Sequence, residues 1–143
     1  MSKFEDIVSA LLMRLNTIEG PEIGRNDPVP EKVPKVGQVI LHDGRPEESE
    51  RILGMNGVTQ HRHEFEIEIR VQRLKLSERN ALFDELVSKV GVALDGDKFL
   101  GGLIDGMDVE RPDPFEEHQE GAAPFKAGFI PLFIEYVSEK PLA

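Results

Sequence analysis

One stretch constrains the fold more than any other. In residues 61–72, HRHEFEIEIRVQ, Phe65, Ile67, Ile69 and Val71 fall on one parity, and Glu64, Glu66, Glu68, Arg70 and Gln72 on the other. Side chains alternate across a strand, so this pattern predicts a β-strand buried on one face only. At roughly 3.3 Å per residue the strand would run about 40 Å, well beyond the usual ~17–20 Å. Such a strand carries an acidic row that no core explains, and the question becomes what that row meets.

The flanking sequence supplies the partners. Residues 2–18 predict a helix: Ser2 caps it with Glu5 in a capping box, and Ile7, Val8, Leu11, Leu12, Leu15 and Ile18 form an apolar stripe. Gly20-Pro21 ends it, and four prolines make residues 20–35 an extended, irregular connector. VGQVIL (36–41) reads as a first strand, and Asp43-Gly44 as a turn. Residues 44–59 form a long polar loop with an apolar island, Arg51, Ile52, Leu53 and Met55, that could dock on a partner or tuck under the loop. Asn56-Gly57 is a strong turn pair, so the first two strands could continue as an extended hairpin. Residues 74–94 predict a second helix, capped by Ser77, with Leu82, Phe83, Leu86, Val87, Val90 and Leu94 inward.

A third strand, weakened by Gly101, Gly102 and Gly106, is expected over 99–110, and a second acidic loop over 111–124. The fourth strand is 125–137. There Ile130, Leu132, Ile134 and Tyr136 share one parity, and Phe129, Pro131 and Phe133 the other, so both faces of that strand should be covered. The sum is an α+β domain spanning 1–143: a four-stranded, mainly antiparallel sheet with two amphipathic helices packed on one face, in the order α-β-β-α-β-β.

Chemistry is sparse. With a formal net charge of -10 the chain is a poor direct binder of nucleic acid, which requires cations to displace counterions. It has no cysteine, hence no disulfide and no thiolate metal site, and this fits a reducing compartment. No apolar run approaches a membrane span, so a cytoplasmic origin and no membrane partner are expected. His61 and His63 would face the same side about 7 Å apart, as in some zinc sites, but a third ligand would have to come from elsewhere. Asp95-Gly96-Asp97 lacks the glutamate that ends a calcium loop, Gly101-Gly102 lacks a phosphate-loop ending, and no serine lies in a nucleophile elbow. No catalytic residue, cofactor or metal is assigned, and no enzyme activity is expected.

The order of these elements, with particular residues in them, resembles the tail terminator (tail completion) proteins of long-tailed bacteriophages over nearly the whole chain. The likeness rests on the N-terminal amphipathic helix, the Pro-rich run into VGQVILHDG, the strand opening HRHEFEIEIRV, the segment LDGDKFLGGLIDGMDVE (94–110) and the closing IPLFIEY (130–136). The loops 44–59 and 111–124 do not match it. The resemblance implies a virion structural protein. It would form a ring, typically a homohexamer, on the head-proximal end of the tail tube, stop tube polymerisation and offer the surface that joins the head–tail connector. DNA would only pass through the lumen, and assembly would occur in the host cytoplasm.

On that reading Glu64, Glu66, Glu68 and Arg70 with Phe129 and Phe133 are the candidate subunit or lumen face. Arg51, Ile52, Leu53 and Met55 are the candidate docking loop. An acidic lumen keeps DNA from sticking. Two other readings stay open: a head-completion or adaptor protein of the neck, and a small metal-dependent enzyme using His61 and His63.

Overall fold

The structure, a computed structural model, describes residues 2–51, 57–118, 120–140 and 142. It opens with helix α1 (Lys3–Leu15), whose first turn is closed by Glu5 N–H donating to the Ser2 hydroxyl at 3.1 Å. The apolar stripe is fully used: Ile7, Val8, Leu11 and Leu15 are buried. Ile18, expected inside the helix, lies beyond its end but still packs into the core through a tight turn from Leu15.

The sequence predicts four strands, mainly antiparallel. The described residues instead form a six-stranded mixed sheet, β1 (Glu22–Arg25), β2 (Gln38–Arg51), β3 (Thr59–Gln72), β6 (Phe125–Ser138) and β4 (Gly106–Val109) in spatial order, with β5 (Phe115–Glu117) also on β6. The α+β class stands; the strand count and pairing do not. Both added strands come from segments read as loops. β1 lies in the proline connector, between Pro21 and Asn26, and pairs parallel to β2. A parallel pair needs a crossover of about a dozen residues, and 26–37 provide it by passing over the sheet. Arg25 fixes β1 at the edge, donating to Asp43 at 2.8 Å and to Glu5 at 2.8 and 3.0 Å, so one guanidinium joins α1, β1 and β2. It holds both carboxyls below their ordinary range.

β2 is longer than expected because Asp43-Gly44 is a bulge within the strand, not a turn. The pairing with β3 slips between His42 and Arg45 and again between Pro46 and Glu48, then continues to Arg51↔Thr59. Gly44 has φ 65°, and a Cβ there would collide with the Glu64 carbonyl oxygen, so only glycine lets β2 pass so close to β3. Conversely, the strand expected over 99–110 shrinks to β4. Leu100–Gly102 coils as a single 3-10 turn, with Gly101 and Gly102 at positive φ, before the chain reaches the sheet. Pro131 is tolerated inside β6 because its carbonyl accepts from Glu110 N–H (3.0 Å) on the side away from β3. The missing N–H lies on that same side, at the end of the β4 pairing, so the proline forgoes only the return bond to Glu110 and leaves the β3 ladder intact.

Helix α2 (Leu76–Asp95) has Lys75, not the expected Ser77, at its N-cap, and no side-chain cap. Its C-terminus, with no basic residue of its own, is served from α1: Arg14 Nε donates to the Ala93 carbonyl at 2.9 Å. Both helices cover one face of the sheet. Between them lie Val39, Leu41, Phe65, Ile67, Ile69, Val71, Ile130, Leu132 and Ile134. No helix among the described residues is long and apolar enough to cross a membrane.

Candidate assembly surface

Strand alternation sends the opposite parity to the other side of the sheet, which carries no helix. Antiparallel registry of β3 and β6 aligns Glu64 with Phe133, Glu66 with Pro131 and Glu68 with Phe129. The acidic row of β3 and the second apolar row of β6 thus form one surface. Four of the six candidate residues, Glu64, Glu66, Phe129 and Phe133, are half-buried on it. Glu64 meets Arg45 at 3.4 Å. The Arg62 guanidinium lies 4.8 Å above the Phe133 ring and is held by Glu47 at 2.9 Å and Glu135 at 2.8 Å, which raise its pKa further. His42 packs beside Phe129 at 5.8 Å.

Glu68 and Arg70 have a different environment. They are 3% and 1% exposed, lying beneath the crossover that brings the chain from β1 to β2. Arg70 donates to Glu68 at 2.8 Å, to the carbonyls of Asp27 (2.6 Å) and Pro28 (3.1 Å), and to the Gln38 side chain (3.3 Å). His42 Nε2 completes the contacts of Glu68 at 2.8 Å. A buried carboxylate needs such partners. Arg51 is paired through its backbone with Thr59, and Ile52, Leu53 and Met55 lie outside the described residues.

The two histidines that invited a metal reading are engaged by protein groups. His61 bridges three strands: Nδ1 contacts Ser49 at 2.9 Å and Nε2 contacts Ser138 at 2.8 Å, with the ring stacked on Tyr136. Ser138 donates its own proton to the Lys140 carbonyl, so His61 Nε2 donates to Ser138, and in the neutral ring Nδ1 is left to accept from Ser49. Burial, then the neighbouring His63, lower the His61 pKa. His63 Nε2 reaches the Asp43 carbonyl at 2.5 Å, and its ring packs on Phe4 and Phe65. The described residues hold no group of three or more potential metal ligands.

One exposed feature escaped the sequence reading. Between β3 and α2 the chain runs Arg73-Leu74-Lys75-Leu76, with Leu74 78% and Leu76 57% exposed. Placing Leu74 at the start of a helix hid it. It is an apolar knuckle flanked by cations.

No protein-family model matches the chain, and the search of curated proteins found no match. Among solved structures, a chain from the virion of a native gene transfer agent particle superposes with a TM-score of 0.56 at 13% identity, covering 89% of this chain and 92% of that one. The two chains therefore share a fold over most of their lengths.

Proposed function

We propose that this chain is a structural protein of a phage-like virion, without enzymatic activity, and that it acts as a tail terminator. In this reading copies assemble as a ring, a hexamer by the family resemblance, on the head-proximal end of the tail tube. The ring stops tube growth and presents a surface to the head–tail connector, and DNA passes through its lumen.

The observation that carries the reading is the fold shared along nearly the full length with a chain of a gene transfer agent virion. The sheet face without a helix agrees with it, since Phe129, Pro131 and Phe133 beside Glu64 and Glu66 form a surface suited to a neighbouring subunit. A net charge of -10 suits a passage that DNA must not adhere to.

The test is reconstitution with the cognate tail tube protein. Added at substoichiometric amounts, the chain should bind tube ends and shorten the tubes, and cryo-electron microscopy should show a terminal ring. Tubes of unchanged length with no bound density would overturn the terminator role. Binding to the portal-side connector without binding to tubes would favour a neck adaptor instead.

A further inference from the structure

Resting on the reading of the chain as a self-assembling virion subunit, we infer that successive copies meet head to tail, the β3–α2 knuckle of one seated on the uncovered sheet face of the next. The two surfaces complement each other in two independent ways. Leu74 and Leu76 are exposed apolar side chains with little to cover them in the monomer. Phe129, Pro131 and Phe133 form an apolar row on the sheet face. Charge is complementary at one point as well: Lys75 stands between the two leucines, whereas Glu66 lies opposite Pro131 in the apolar row, Glu64 being already paired with Arg45 and Phe133 lying under Arg62. In a chain of net charge -10 a protruding cationic segment is against the general trend, and an acidic copy is its natural counterpart. The knuckle is also held in place, because Arg73 donates from Nε and from Nη2 to the Lys35 carbonyl at 3.1 and 2.6 Å.

The alternative contact, sheet face against sheet face about a two-fold axis, would leave Leu74 and Leu76 exposed and Lys75 without an acidic partner. The two patches cannot be one site. Phe129, the nearer end of the apolar row, is opposite Glu68, four residues and roughly 13 Å before Gln72 on β3, and Leu74 lies beyond the strand's end. Each copy then uses both patches at once, and such a heterologous contact propagates until it closes into a ring.

Sedimentation velocity and native mass spectrometry test this on the full chain. Leu74→Glu should weaken self-association about tenfold or more, the factor that burial of one leucine is worth. Lys75→Glu and Glu66→Lys should each weaken it, and the double variant, with the charges exchanged, should recover most of the loss. Leu74→Glu mixed with Phe133→Asp should stop at dimers, since one intact junction remains and the other sets acid against acid. If Leu74→Glu assembles as wild type does, or the mixture stays monomeric, the head-to-tail contact is overturned while the virion reading stands. A wild-type chain that is monomeric at every concentration, alone and with tail tube present, overturns both. Should Phe133→Asp unfold, as circular dichroism would reveal, Leu74→Glu and the charge exchange decide alone.

Discussion

On the helix side of β3, Phe65, Ile67, Ile69 and Val71 lie under α1 and α2, sealed from water. On the reverse side of the same backbone, Glu64 and Glu66 are half-buried beside Pro131 and Phe133, and only the far end, at Glu68 and Arg70, is closed. The first face is held by apolar burial and tolerates no change of volume. The second is finished in two ways: an ion pair under a strap of chain at one end, and an apolar–acidic surface left open at the other. An antiparallel sheet commonly solvates one face, but two phenylalanines and a proline in a row are poor solvent-facing material.

Substitutions on the two faces should separate these regimes. Phe65→Ala should cost about 3–5 kcal/mol in chemical denaturation, the range for deleting a buried aromatic side chain. A loss below about 1 kcal/mol would mean that the helices do not seal this face. Arg70→Met should cost a comparable ~3–5 kcal/mol, because it leaves Glu68 buried without its main partner. Replacing Arg70 and Glu68 together by apolar residues should cost less than Arg70→Met alone, and a larger loss would show that the pair itself stabilises. Phe133→Asp should cost little in the monomer, about 1 kcal/mol, yet impair assembly. Unfolding of that variant would move Phe133 into the monomer core.

The smallest effect concerns pH. The His61 pKa is lowered in the folded chain, so the unfolded chain takes up a proton first as pH falls. Its contribution is therefore complete above the unfolded value near 6.5 and is lost as pH drops below it. Glu5, Asp43 and Glu116, whose values are also depressed, add a separate loss at lower pH, below their ordinary carboxyl values. His61→Gln should remove the upper part of the acid transition in thermal melts taken at several pH values and leave the lower part. An unchanged profile would exclude His61 as its source.

Periodicity made some of this legible in advance. β3, β6 and α1 are long amphipathic elements, and their parity follows from residues that alternate or recur without interruption. β1 and β5 were hidden because short strands carry too few residues to show a period, and prolines border both. The extended hairpin of β2 and β3 was open to the sequence through the Asn56-Gly57 pair, but its bulge was not, because Gly44 reads locally as a turn and acts as a bulge only with Glu64 opposite. The knuckle at Leu74 was invisible for the converse reason: an apolar residue next to an amphipathic helix is assigned to the helix, and nothing local marks it as exposed. Glu64, Glu66, Phe129 and Phe133 were found as a set because cross-strand registry follows from two long strands. The burial of Glu68 and Arg70 depends on a crossover more than thirty residues earlier, and no local pattern encodes that.

That crossover also bears on how the sequence can drift. Arg70 grips the carbonyls of Asp27 and Pro28, groups that every residue possesses. Recognition through the main chain does not register which side chains pass above it. The constraint therefore falls on one residue of the sheet and spares most of the strap. Mutations can accumulate along residues 27–32, changing the charge and shape of the surface above the sheet, while the latch beneath them stays the same.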